Sequence, residues 1–237
     1  GLSYLHGLTI QNEKQSEDSN GKIDVWDFGG AELDSNVYNN RLTADIINGF
    51  YGSSIAAVKD GKCIDTSMGL TPLAGFEMGT RCGDIDPAIV PYLMKKENLT
   101  PDEIDTIMNK KSGLLGITGI SSDFRDAEAA MNEGNERAKL GLDMFRYQIA
   151  KYIGSYVIAL GGCDAIVFTA GIGENNAGHR AAICEYLECL GVKIDTEKNK
   201  LRGDVDFTGE GSTMKTFIIP TDEELMIAQD TMELLSK

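Results

Sequence analysis

Between residues 135 and 160, Leu142, Phe145, Ile149, Ile153 and Tyr156 recur at steps of three and four, which gathers them on one stripe of a long helix. Such a stripe is stable only against another layer. The short apolar run at residues 165–169 reads as a buried strand, so the chain must build helix against sheet. The rest of the pattern agrees. Residues 54–58 read as a strand, Lys59-Asp60-Gly61-Lys62 as a hairpin turn, and Cys63-Ile64-Asp65 as the start of the returning strand. Thr100-Pro101-Asp102-Glu103 combines a threonine cap, a proline at the first helical position and two acids in the first turn, and so opens a helix running to Lys110 or Lys111. Ser121-Ser122-Asp123 opens another helix, with serine as its cap, to about residue 132. A helix at 177–190, a strand at 216–219 and a helix at 222–235 complete an alternation that argues for an α/β fold. Residues 1–47 show no sustained period of either kind.

Composition narrows the function classes. A formal charge of −15, from 37 acids against 22 bases with no basic run, repels phosphodiester backbones and anionic lipid, so neither nucleic acid nor membrane is an expected partner. No apolar stretch approaches the roughly 18 residues of a membrane span, and the first ten residues lack a secretory pattern, so a cytoplasmic location is expected. The cysteines, Cys63, Cys82, Cys163, Cys184 and Cys189, are odd in number and contain no Cys-x-x-Cys pair. With only His6 and His179 to help, they suggest neither a disulfide framework nor a zinc site.

Four segments could carry chemistry. Ile166-Val167-Phe168-Thr169-Ala170-Gly171-Ile172-Gly173-Glu174-Asn175 reads as a buried strand emptying into a glycine-spaced turn before a helix near Ala177, an arrangement that offers backbone amides to a nucleotide. A tight strand-to-helix connection would look the same. Met78-Gly79-Thr80-Arg81-Cys82-Gly83-Asp84 sets one arginine among glycines, suited to clamp a transferring phosphoryl group with a planar fork. The alternative is an Arg81 paired with Asp84 or Asp86. Asp123-Phe124-Arg125 could stack adenine on Phe124 and Arg125 while Asp123 takes a ribose hydroxyl, or could be a capped helix with an ordinary Arg/Asp pair. Pro220-Thr221-Asp222-Glu223-Glu224 puts carboxylates at a helix start, which capping explains as well as magnesium does.

Together these segments resemble the acetate kinase family. Asp65-Thr66-Ser67-Met68-Gly69-Leu70-Thr71-Pro72-Leu73, Gly79-Thr80-Arg81-Cys82-Gly83-Asp84-Ile85-Asp86-Pro87, Ser112-Gly113-Leu114-Leu115-Gly116, Phe168-Thr169-Ala170-Gly171-Ile172-Gly173-Glu174-Asn175 and Pro220-Thr221-Asp222-Glu223-Glu224 occur in the family's order and near its spacing. The resemblance implies a ribonuclease-H-like lobe of the acetate and sugar kinase, Hsp70 and actin type, with nucleotide in a cleft and dimerisation through the C-terminal lobe. It also implies the reversible reaction of ATP with acetate to give ADP and acetyl phosphate, with Mg2+. By the same resemblance Arg81 is the catalytic arginine, and Gly52, Asp123, Phe124, Arg125, Gly171, Ile172, Gly173, Glu174 and Asn175 contact the nucleotide. Glu223 is then the magnesium-associated carboxylate.

Upstream the resemblance departs. Where the family has His-Leu-Gly-Asn-Gly this chain has Asn48-Gly49-Phe50-Tyr51-Gly52, and the family's N-terminal substrate and catalytic motifs are not found in residues 1–50. The expected division is therefore residues 1–51, without a recognisable family match and poorly packed through residue 40, and residues 52–237, a nucleotide-binding lobe. The expected activity is an acetate kinase reaction that this chain does not complete by itself. The competing reading is a non-catalytic nucleotide-binding or dimerisation remnant.

Overall fold

The computed structural model describes residues 43–49, 52–221 and 223–236. The expected poor packing of residues 1–40 lies outside the described residues, as do Phe50 and Tyr51 of the departure before Gly52. Six strands form one mixed sheet, β1 (Thr43–Gly49), β2 (Gly52–Lys59), β3 (Lys62–Thr66), β4 (Ala165–Phe168), β5 (Val205–Asp206) and β6 (Lys215–Ile218), in the order β3-β2-β1-β4-β6-β5. The first three strands are an antiparallel meander, β1, β4 and β6 run parallel, and β5 adds an antiparallel edge. This is the ribonuclease-H-like α/β arrangement that the resemblance implies. The meander is closed at Asp60 and Gly61, whose φ angles of 53° and 72° are those of a tight hairpin turn.

The helices are α1 (Ile89–Glu97), α2 (Pro101–Lys110), α3 (Gly113–Thr118), α4 (Phe124–Asn132), α5 (Glu136–Leu160), α6 (Ala170–Asn175), α7 (Ala177–Tyr186) and α8 (Glu223–Leu235). Helix α5 organises the core. Its N-terminus is capped by Asn135, whose side chain accepts from the N–H groups of Arg137 and Ala138, and it ends on Gly161 in the left-handed region. Phe145, Ile149, Ile153 and Tyr156 of its stripe are buried in one cluster with Ile55 and Ala57 of β2 and Ile166 and Phe168 of β4. Each such side chain contributes about 1.5–3 kcal/mol through burial. Leu142, nearer the helix start, packs instead with Leu114 of α3 and Ala127 of α4. Alternation along β4 sends Ala165 and Val167 into a separate cluster with Phe217, so all four residues of the strand are buried.

Several expectations need correction. Thr43–Gly49 is a strand that begins inside the segment read as lacking a period. It pairs on both sides, antiparallel with β2 and parallel with β4, and a central strand's place is fixed by those two ladders more than by its own alternation. Residues 170–175 form the short helix α6, where the sequence suggested a glycine-spaced turn. The helix expected over 177–190 tightens at residue 187 into a 3-10 turn, Leu187–Leu190, which Gly191 ends with a φ of 82°. At the start of α4 the cap is Asp123, while Ser121 accepts from the Asp123 N–H one step earlier.

Candidate functional site

The loop carrying Arg81 is held by its backbone. Ser112, Leu114 and Leu115 donate their N–H groups to the carbonyls of Thr80, Met78 and Gly79 at 3.0, 2.8 and 3.0 Å. Cys82 N–H donates to Met108 O at 3.0 Å, and the Thr80 hydroxyl to Asn109 O at 2.9 Å. The motif Ser112-Gly113-Leu114-Leu115-Gly116 is thus a cradle for residues 78–82. Gly113 is obligatory there, because its φ is +59° and a Cβ would stand 2.1 Å from Met78 O and 2.6 Å from Arg81 O. On the other side a Cβ on Gly79 would meet Ser122 O at 2.8 Å, so the same loop abuts the residue before Asp123.

With its backbone fixed, Arg81 keeps its charge available. The side chain is half-buried and, among the described residues, makes no hydrogen bond or ion pair. Asp84 and Asp86 are occupied elsewhere: Asp84 accepts from Gly75 N–H and the Tyr152 hydroxyl, and Asp86 from Ala88 N–H. The alternative of an intraloop Arg81 pair is therefore not realised. Four residues upstream, Glu77 is 2 % exposed and, among the described residues, neither of its carboxylate oxygens has a partner. Burial pushes its carboxyl up to about 8.

At the head of α4, Arg125 is exposed and turned back on Asp123. Its Nε and Nη2 donate to Asp123 Oδ1 and Oδ2 at 3.0 and 2.5 Å, and its N–H to Oδ1 at 2.9 Å. The Arg125 side chain and backbone hold the Asp123 carboxyl below the usual carboxylate range. Phe124 points the other way, with its ring 4.5 Å from that of Phe145 and 5.7 Å from that of His179. The capped-helix reading accounts for all three side chains.

The strand β4 runs into α6 through Thr169, extended and with a buried hydroxyl that has no partner among the described residues, and Ala170, at φ +55°. A non-glycine residue held in the left-handed region costs on the order of 1–3 kcal/mol and is more common at ligand sites than elsewhere. Gly171, Ile172, Gly173, Glu174 and Asn175 follow as helix. Asn175 Nδ2 donates back to Gly171 O at 2.9 Å, and Glu174 Oε1 accepts from the N–H and hydroxyl of Thr221 at 2.9 and 3.3 Å. Glu174 so ties α6 to the residue that leads into α8, of which Glu223 is the first. The side chains of Glu223 and Gly52's neighbour Tyr51 are outside the described residues, while Gly52 itself begins β2 opposite Gly49.

Sequence reasoning passed over the group that clamps α6. Arg180 is 2 % exposed, and its Nη1 donates to Gly173 O and Glu174 O at 2.7 and 2.9 Å while its Nε donates to Asn199 Oδ1 at 2.8 Å. Its Nη2 donates to Asn199 O. Burial lowers the guanidinium to about 10. Nothing in the local sequence distinguishes Arg180 from a surface arginine, because its acceptors come from segments on either side of it in the chain. Beside this clamp a cavity of about 10 Å³, lined by Arg180 itself and by Phe76, Phe145, Phe168, Ile172 and His179 among others, has room for about one water and none for a nucleobase. Among the described residues no group of three or more His, Cys, Asp or Glu side chains could hold a metal, and no helix is long and apolar enough to cross a membrane.

Against known proteins, the model of the acetokinase family matches residues 36–229, which takes in β1 and residues upstream of Gly52. The chain is 59% identical over 187 residues to the acetate kinase of Clostridium botulinum (strain Langeland), covering 78% of this chain and 47% of that protein. Its identity to the acetate kinase of Moorella thermoacetica is 59% over 185 residues, with the same coverage. Among solved structures it is similar to the acetate kinase of Porphyromonas gingivalis, with TM-score 0.79 and 44% identity over 84% of this chain and 50% of that one. The propionate kinase of Francisella tularensis follows the same path, with TM-score 0.77 and 43% identity over 82% of this chain and 50% of that one. The chain spans about half the length of the curated relatives it matches.

Proposed function

The chain belongs to the acetokinase family, and from that membership we propose that it forms the nucleotide-binding part of an acetate-kinase-type phosphotransferase. In that reaction a carboxylate oxygen of acetate attacks the terminal phosphorus of ATP, the bond from that phosphorus to the ADP oxygen breaks, and acetyl phosphate and ADP result. The observation that carries the reading is Arg81, a half-buried guanidinium with no partner among the described residues, on a loop pinned from both sides. A planar, pre-positioned cation suits the charge that spreads over a transferring phosphoryl group, where positioning and charge stabilisation supply nearly all of the catalysis.

In this reading the adenosine lies between residues 123–125 and 171–175. Arg125 would leave Asp123 to stack on the base, freeing the carboxylate for a ribose hydroxyl, and the strained junction at Thr169 and Ala170 would face the nucleotide. Magnesium, bound through one or two carboxylates and mainly by phosphate oxygens, needs no cluster of protein ligands. Glu223 is the carboxylate assigned to it, and its chemistry is neutralisation of phosphate charge. Gly52 is assigned to the phosphate side. The same family reading gives a cytoplasmic homodimer acting on a short-chain carboxylate, with acetate as the substrate of first choice.

Calorimetric titration of the chain with ADP, with and without magnesium, tests the nucleotide assignment. Arg125→Ala should weaken ADP by about 0.5–2 kcal/mol through lost stacking, and equal affinity in both proteins would remove Arg125 from the site. An absence of ADP binding to the unmodified chain would sink the reading itself.

A further inference from the structure

Helices α4 and α7 meet around one buried imidazole. His179 is 0 % exposed, with its ring edge-on to both Phe124 and Phe145 at 5.7 Å. Arg146 Nε donates to its Nδ1 at 3.1 Å, which requires that nitrogen to carry no proton and places the ring hydrogen on Nε2. Nε2 in turn lies 3.2 Å from Glu128 Oε1, within ion-pair reach though not aligned as a straight hydrogen bond. The same carboxylate oxygen accepts from Asn176 Nδ2 at 2.8 Å, and Asn176 Oδ1 accepts from His179 N–H at 2.9 Å, capping α7. The contact with His179, more than any other, holds the Glu128 carboxyl below its usual range, against desolvation.

The placement matters because of what each member is joined to. Glu128 stands one helical turn after Phe124, so a single imidazole touches the inner face of α4 at both positions. Asn176 is at once the residue that ends α6 and the cap of α7. A closed ring of contacts, Glu128 to Asn176 to His179 and back, therefore spans from the helix headed by residues 123–125 to the helix formed by residues 170–175. We propose that Glu128 is a positioning residue that, through Asn176 and His179, fixes the spacing between these two segments. This rests on the reading that the two segments share one nucleotide.

Amide hydrogen exchange on the unliganded 237-residue chain tests the link without any nucleotide. Glu128→Ala should speed exchange at least about tenfold at residues 124–127 and also at residues 177–180, across the helix boundary, whereas Glu128→Gln, which keeps an acceptor oxygen, should stay within about twofold of the unmodified chain. His179→Phe retains the aromatic packing and removes the polar ring, and should reproduce the Glu128→Ala pattern. Unchanged exchange at residues 177–180 in Glu128→Ala, or a Glu128→Gln variant as perturbed as Glu128→Ala, overturns the proposal. ADP titration of the same variants then separates the two ideas. Weaker binding in Glu128→Ala with rescue in Glu128→Gln supports both. No ADP binding to the unmodified chain, with the exchange pattern as expected, sinks the nucleotide reading and leaves the link standing.

Discussion

Glu77 is the residue whose environment has the clearest measurable consequence. A carboxyl raised from 4.5 to about 8 by burial holds its proton more tightly in the folded chain than in the unfolded one. Its contribution to stability is then complete below about pH 4.5 and is lost as pH rises toward 8, at up to about 1.4 kcal/mol per pH unit. Glu77→Gln removes that slope. Urea titrations should show the variant gaining stability relative to the unmodified chain from pH 5 to pH 8; parallel curves would mean that Glu77 is ionised in the fold. The carboxyls of Asp123 and Glu128 are shifted downward and act at lower pH, equally in both proteins, so they cancel in the difference. Arg81, close in sequence to Glu77, illustrates a different point. Its loop position was readable from flanking glycines, but its freedom from Asp84 and Asp86 was decided by Gly75, Tyr152 and Ala88, which claim those carboxylates.

At the scale of elements, short loops and helix ends are held by backbone groups that only particular residues allow. Gly113 and Gly119 bracket α3, and both have positive φ, +59° and +69°. They differ in surroundings: a Cβ on Gly113 meets Met78 O and Arg81 O, and one on Gly119 meets nothing within 4 Å. Gly119→Ala should cost about 1 kcal/mol, the conformational penalty alone, while Gly113→Ala should cost about 3 kcal/mol or more because the Arg81 loop must also move. Chemical denaturation of both variants distinguishes them, and equal losses would mean that the loop is not cradled as described. The threonine cap of α2 was legible in full, since Thr100 and Glu103 satisfy one another's backbone N–H groups and everything the motif needs lies within four residues. The turn expected over residues 171–175 misled for the opposite reason. Its glycines suggested a loop, yet Arg180, later in the chain and itself held by Asn199, donates to the carbonyls of Gly173 and Glu174 and holds those residues helical.

For the whole molecule, the chain belongs to the acetokinase family and spans about half the length of the curated relatives it matches. The 237-residue chain, assayed by itself with magnesium-ATP and acetate, should form no acetyl phosphate above background, because phosphoryl transfer needs several groups that together align the acyl acceptor and neutralise the phosphoryl group, and Arg81 cannot do both. Turnover that disappears in Arg81→Ala would show that this chain, or a second copy of it, supplies the remaining groups. What the sequence determined was whatever depends on neighbours along the chain: the stripe of α5, the Asp60-Gly61 turn, the Thr100 cap, the α/β alternation and the ordered motifs that identify the family. Only the tertiary structure decided which groups from distant segments meet. It put Thr43–Gly49 at the centre of the sheet, brought residues 112–115 under the Arg81 loop, clamped α6 with a buried arginine and closed the contact between Glu128, Asn176 and His179. Those outcomes depend on hydrogen bonds and charges satisfied across tens of residues, and a buried polar group carries no local mark of the partner that will satisfy it.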